Sequence, residues 1–406
     1  MLNLAIAADE DSKITNAAQM FQGLPVEELD LSKLDMSQCI STKQMFYDCR
    51  NLRAIKGHWN LSNVVDATGM FGTCLLLTEL AATNWRLSNK LTKVSYMFGG
   101  CTNLTSINGT ADWDLSGVSD ASNMFNGSGI TGTLDASSWN FSNKLTNTSF
   151  MFAGCTNLTS ITGTGSWDLS GVSSTSYMFY NSGITGTLDA TNWKFSNKLT
   201  DTSIMFGGCE NLTSIIGTGD WDLSNVSDAQ GMFNSSGITG TLDATNWNFR
   251  DKLTNTSNMF GGCRSLTSIA GIGDWELSNV SDMRFMFHVC TNLTELDATA
   301  WKLTNLPATI QLGESMSPSA RWMFRDSGLT TLTINGQALK KLIAAGAIEV
   351  DRSEYGDYVI SESYGTIMTF KGAVSGDKFV IRDLEKYRVR DNDQEWQFPE
   401  VNELIE

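Results

Sequence analysis

The chain has 406 residues, with 44 acidic against 28 basic side chains and a formal charge of −16. That balance repels nucleic-acid phosphates, and no run approaches the ~18 consecutive apolar residues of a membrane helix. The length exceeds a usual single hydrophobic core, a limit that does not bind repeat arrays.

In chain order, the opening MLNLAIAADEDSKITN lacks the basic and apolar regions of a secretory leader. It reads as a mature start or as a protein that leaves the cell without one. Residues 1–19 form an N-terminal cap, with Leu2, Leu4 and Ile6 alternating as a short strand. From Met20 a Met-Phe pair returns at Met45, Met70, Met97, Met124, Met151, Met178, Met205, Met232, Met259, Met286 and Met323. The intervals are 25, 25, eight of 27, and 37. Tryptophan keeps the same beat from Trp59 to Trp301, with spacings alternating between 26 and 28, so the finer unit is a 54-residue pair of unlike repeats. A fixed period of this size marks a solenoid. Residues 20–336 are therefore read as a leucine-rich-repeat-like solenoid of short strands with one short helical turn per coil. Its length is on the order of 50–55 Å for about eleven coils at ~4.8 Å each.

Within a coil, Leu104 and Ile107 with Gly109 read as a strand and its turn, and Trp113 and Leu115 as a second short strand. Ser119 reads as an N-cap and Gly127 as a helix stop. The intervening helical turn brings adjacent Met124 and Phe125, and likewise Met151 and Phe152, toward the core, because neighbours on a helix diverge by only ~100°. Trp139 and Trp167 join this core, since the Trp row shares its face with Leu115, Leu169 and Leu223. Seven of the eight cysteines, Cys155 among them, stand four residues after a Met, where other coils carry Ser. A slot that takes Cys or Ser is small and buried, and parallel coils hold alternate thiols ~10 Å apart, beyond disulfide reach. The eighth, Cys39, falls in another core slot.

A ten-residue insertion near 305–318, carrying Pro307 and Pro318, marks the end of the array. Residues 337–406 read as a small mixed α/β cap or attachment domain. QALKKLIAAG is its helix, stopped by Gly346, and YVIS, GTIMTFKG and KFVIRDLEKYRVR supply strands.

The unit M-F-x-x-C-x-N-L-x-x-[LI]…W-x-L-S-x-V-[ST]-[DN] is clearest in MFGGCTNLTSINGTADWDLSGVSDASNMF and MFHVCTNLTELDATAWKLTN. It resembles the BspA-type leucine-rich-repeat surface proteins of bacteria over about residues 12–330. The resemblance implies surface display, a part in adhesion and no catalytic residues.

The residues themselves offer no catalytic constellation. His58 and His288 are the only histidines and lie about nine coils apart, which leaves no Ser–His–Asp or Cys–His arrangement. The paired carboxylates Asp112 and Asp114, and Asp220 and Asp222, are too few for Ca²⁺, so neither a metal nor a cofactor is expected. The most readable outward row is hydroxylic. Thr105, Thr159, Thr213 and Thr267 occur in one repeat type, and Thr131, Thr185 and Thr239 open a TGT in the other. A flat Thr ladder is the candidate ligand face, and Lys at Thr105, Thr159 and Thr213 is expected to abolish binding without unfolding. The sequence thus reads as a non-enzymatic recognition or adhesion protein for a protein or glycan receptor on a cell surface. The other reading is a structural part of a virion, such as a phage tail fibre, or of a secreted assembly, docked through 337–406. Either places it outside the cell or on a particle, with no nucleic acid and no membrane insertion.

Overall fold

The computed structural model describes residues 3–5, 13–57, 59–312, 315–329, 331–347, 350–352, 358–360 and 378–382. Two compact units make up the chain, Met1–Leu199 with Met205–Gly217, and Thr200–Ile204 with Thr218–Glu406. Both are β-solenoids built from the same coil.

In the first unit, strands of successive coils pair in parallel. Asn3–Ala5 lies beside Glu28–Asp30, which lies beside Ala54–Lys56; Glu79–Ala81 pairs with Ser106–Asn108, Gly132–Asp135 with Leu158–Thr162, and Gly186–Asp189 with Leu212–Ile216. Leu4 is in register with Leu29 in the first pair; Leu2 and Ile6 lie outside the described residues. Parallel stacking sets each side chain on its counterpart, so the core is a set of like-on-like columns. The phenylalanines of the Met-Phe pairs stack at 5.3 Å (Phe98 on Phe125) and 5.4 Å (Phe125 on Phe152). The tryptophans stack at 5.8 Å (Trp113 on Trp139) and 6.2 Å (Trp139 on Trp167). Met124, Phe125, Trp139, Met151, Phe152, Cys155 and Trp167 are all fully buried.

The Met-Phe corner differs from the helical turn expected of it. Residues 121, 123, 125 and 127 donate their N–H to carbonyls 147, 149, 151 and 153 of the next coil, while 124, 126 and 128 donate three residues back within their own coil. This is a chain of tight turns laced to its neighbour. Its device is a left-handed residue just before Met and another three after it, as at Asn123 (φ 57°) and Gly127 (φ 65°). These reversals turn the backbone so that both apolar side chains face inward. Ser119 is not the cap: its hydroxyl bonds to Thr92 O at 3.1 Å, and Asp120 Oδ1 takes the Ser122 N–H at 3.0 Å. The carboxylate sits one residue closer to the turn and so reaches it.

The regular helical turn stands elsewhere, as a 3-10 turn at Thr110–Asp112 repeated at Thr164–Ser166, each preceded by a left-handed glycine. It replaces the start of the strand expected around Trp113. Trp113 and Leu115 are buried and Asp114 half-buried, as alternation required, but in place of a strand ladder Trp113 N bonds back to Thr110 O at 3.2 Å and Asp114 N makes a long 3.4 Å bond to Leu87 O. The 3-10 turn also explains the 54-residue pair. The Trp139 and Trp193 indoles donate to Thr110 O and Thr164 O of the turn one coil back, at 2.9 and 2.8 Å. Trp113 and Trp167 follow coils without such a turn, and their indole N–H groups are buried without an acceptor.

All eight cysteines are unpaired and buried. Each thiol of the main column points at the carbonyl of the Phe one coil back, as Cys155 does to Phe125 O at 3.1 Å. The serines of the slot bond differently, the Ser128, Ser182 and Ser236 hydroxyls lying 3.4–3.5 Å from the Sγ of Cys155, Cys209 and Cys263 in the next coil, so the slot takes either small polar side chain. Burial pushes the Cys101 thiol up to about 12 and Cys155 to about 11, so both stay protonated and unreactive.

The second unit repeats this architecture, with Gly240–Asp243 beside Leu266–Ala270 and 3-10 turns at Thr218–Asp220 and Ile272–Asp274. The insertion near 305–318 forms an antiparallel pair, Thr309–Leu312 with Ser315–Pro318. Glu295–Ala298 pairs in parallel with Thr331–Asn335, which takes Lys378–Arg382 antiparallel on its other side. The helix is Gly336–Ala344, burying Ala338, Leu339 and Leu342 before the left-handed Gly346 (φ 73°). Val350–Arg352 pairs antiparallel with Tyr358–Ile360. GTIMTFKG and residues 383–390 lie outside the described residues.

Candidate recognition surface

The Thr row lies where the sequence placed it. Thr105, Thr131, Thr159, Thr185 and Thr213 are exposed on the strand face of the first unit, and Thr239 and Thr267 on that of the second. Four of their hydroxyls are directed at the scaffold. Thr105 donates to Thr78 O at 3.0 Å, Thr131 to Thr105 O at 3.2 Å, Thr185 to Thr159 O at 3.3 Å and Thr213 to Gly186 O at 3.1 Å. A hydroxyl has one proton to give, so these present acceptors and methyl groups outward. The row is also not flat. Gly132, Gly186 and Gly240 of the TGT triplets are left-handed (φ 68–69°), and the strand register shifts immediately after each. A glycine in that conformation makes a β-bulge.

The Trp row carries no ligand surface, being buried throughout. Partly exposed aromatics are found instead on the turn face, which sequence reading passed over. The left-handed position before Met holds Tyr96, Phe150 and Tyr177 in the first unit, at φ 56°, 59° and 56°, and Phe285 and Trp322 in the second, at 61° and 57°. Asn123, Asn258, Gly69 and Gly231 fill it in other coils. Asn and Gly tolerate this conformation, whereas an aromatic side chain there costs about 1–2 kcal/mol. All five aromatics are half-buried.

In the first unit the rings lie on small residues. A Cβ on Gly99 would meet the Tyr96 ring at 2.5 Å, and one on Gly72 would meet both Tyr47 and Tyr96 at 2.8 Å. Phe150 stacks on Tyr177 at 4.5 Å and 5°, and Tyr180, 38% exposed, stands at 79° to Tyr177 with centroids 5.4 Å apart. In the second unit the face is charged. Phe285 meets Trp322 edge-on at 5.2 Å, and the Arg321 and Arg325 guanidiniums lie 4.0 and 4.8 Å from the Trp322 ring centre, within cation–π range. The missed signal was an aromatic immediately before Met-Phe.

Among the described residues, no group of three or more His, Cys, Asp or Glu side chains is placed to hold a metal, and no helix is long and apolar enough to cross a membrane. His58 lies outside them. His288 Nδ1 lies 2.8 Å from Arg325 O.

Comparison with known proteins agrees with the coil. The family described as "Mycoplasma protein of unknown function, DUF285" matches residues 2–108, 76–193 and 181–301. A leucine-rich repeat protein from Eubacterium ventriosum is similar with a TM-score of 0.32 and 14% identity, over 75% of this chain and 77% of that one. No curated protein matches. Those three overlapping spans take in most of the Met-Phe/Cys/Trp coils, and the chain belongs to the DUF285 family, repeat proteins of the BspA-like kind.

Proposed function

We propose that the protein is a non-enzymatic recognition protein, displayed outside the cell, that binds a receptor on a cell surface through its repeat faces. The observation that carries this reading is the turn-face aromatic row. Tyr96, Phe150 and Tyr177 hold partly exposed rings on a backbone that disfavours them, where Asn123 shows a less strained alternative in the same unit. Strain retained in that way points to a surface role. The Thr row, from Thr105 to Thr213, borders the same coils as a second contact strip of acceptors and methyls. Family membership supports the reading, since the BspA-type resemblance implies surface display. The test is saturable binding of fluorescently labelled full-length chain to intact cells, competed by unlabelled chain. Uncompeted or absent binding across bacterial and animal cells removes the recognition role.

A further inference from the structure

Resting on that reading, we infer that the ligand of the first unit's turn face is a neutral glycan, held at the aromatic corner formed by Phe150, Tyr177 and Tyr180. Three features of the corner fit the chemistry of an uncharged pyranose. The first is shape. Phe150 and Tyr177 form a parallel stack at 4.5 Å, and the Tyr180 ring stands nearly perpendicular to it. A sugar ring has an apolar C–H face and a hydroxyl rim. A right-angled pair of aromatic walls takes the face on one ring and an edge on the other.

The second is the polar surround. Asn126 Nδ2 donates to Asn123 Oδ1 at 2.9 Å in the coil before Phe150, and each amide has further donors and acceptors. Asn181 sits beyond Tyr180 with its Oδ1 over Gly208, only 1.9 Å from where a Cβ there would stand. Amides that both donate and accept suit hydroxyls, which do the same.

The third is charge. Residues 95–100, 122–127, 149–154 and 176–181 contain no Asp, Glu, Lys, Arg or His, in a chain that carries −16. A protein interface of ordinary size has a polar, commonly charged rim, and an anionic glycan calls for a cation. These four coils have neither in the turn row, whose Asp48 and Arg50 pair with each other at its start, which favours a neutral sugar over both at the corner.

The test uses replacements the fold already contains. Asn occupies the left-handed position at Asn123 and Asn258, and the Tyr180 position at Asn126 and Asn234. The triple variant Phe150→Asn/Tyr177→Asn/Tyr180→Asn is therefore expected to fold, which circular dichroism checks. A second variant, Phe150→Tyr/Tyr180→Phe, keeps the aromatic corner and reports on it should the first not fold. Full-length protein is applied to a printed array of neutral and anionic oligosaccharides. The expected result is binding to neutral glycans, weakened at least tenfold in the Asn triple and retained in the aromatic swap. Binding to no neutral glycan, binding confined to anionic ones, or unchanged binding by a folded Asn triple overturns the inference. An empty array with competed cell binding intact removes the glycan and leaves recognition standing. If that cell binding is abolished by protease treatment of the cells, the occupant is a protein.

Discussion

The strand face and the turn face of the first unit are made by the same coils yet use their surface residues in opposite ways. On the strand face, Thr105, Thr131, Thr185 and Thr213 turn their protons inward to neighbouring carbonyls, and the exposed side chains help to hold the scaffold. On the turn face the scaffold holds the side chains, keeping Tyr96, Phe150 and Tyr177 at positive φ. The difference teaches that exposure and regular spacing alone do not mark a recognition surface. The more telling feature is a side chain kept in place against its own backbone preference.

The largest effect that bears on this contrast comes from two glycines beside the strand face. A Cβ on Gly183 would lie 2.1 Å from Thr156 O, whereas one on Gly186 meets nothing within 4 Å and faces only its φ of +69°. Gly183→Ala should cost more than about 3 kcal/mol and Gly186→Ala about 1 kcal/mol, read by thermal or urea unfolding. Equal losses would mean that coil contact does not fix the strand face. A sharper comparison places one residue type on both faces. Ile204→Asn, at a φ of 54°, should gain about 0.5–1 kcal/mol by relieving a β-branched side chain of the left-handed conformation. Thr213→Asn should lose about 0.5–1 kcal/mol by giving up β-propensity and the hydroxyl bond. Changes of the same sign in the melting temperatures would break the distinction.

The smallest expected effect is electrostatic. Burial raises the Asp228 carboxyl pKa, opposed by the Gln230 N–H bond, and Asp201 and Asp282 add to the rise. A carboxyl raised on folding contributes stability below its unfolded pKa of ~3.9 and loses that contribution as pH climbs through the folded value. Asp228→Asn keeps an acceptor for Gln230 N and should stabilise at pH 7 by a few tenths of a kcal/mol, the scale that screening leaves to a half-exposed charge. Melting curves at pH 7 and pH 3 check this, and a gain that is as large at pH 3 would contradict it.

What could be read from the sequence was whatever the stack demands in residue type. Met124, Phe125, Trp139 and Cys155 recur because like must pack on like, and each is buried as expected. The residue before Met escaped notice because the scaffold fixes its φ and leaves its type free, so Gln44, Tyr96, Asn123, Ile204 and Trp322 share one conformation without sharing chemistry. The TGT triplets did show a glycine, but its meaning as a bulge depends on which strand lies alongside. The strand expected around Trp113 kept its burial pattern and lost its ladder, since alternation reports which side chains go inside and says little about where backbone bonds end.

The indole bonds have a consequence for how such a chain changes length over generations. Trp139 needs the Thr110 carbonyl one coil back, and Trp193 needs that of Thr164. Removing a single turn-bearing coil, such as the one that holds Thr110, sets two turnless coils side by side and deprives an indole of its acceptor, whereas removing a turnless coil takes no acceptor from a remaining indole. Removing 54 residues restores every neighbour. Loss of a turn-bearing coil is therefore tolerated together with the coil whose indole it serves, and relatives of different length should keep a turn-bearing coil ahead of each bonded indole.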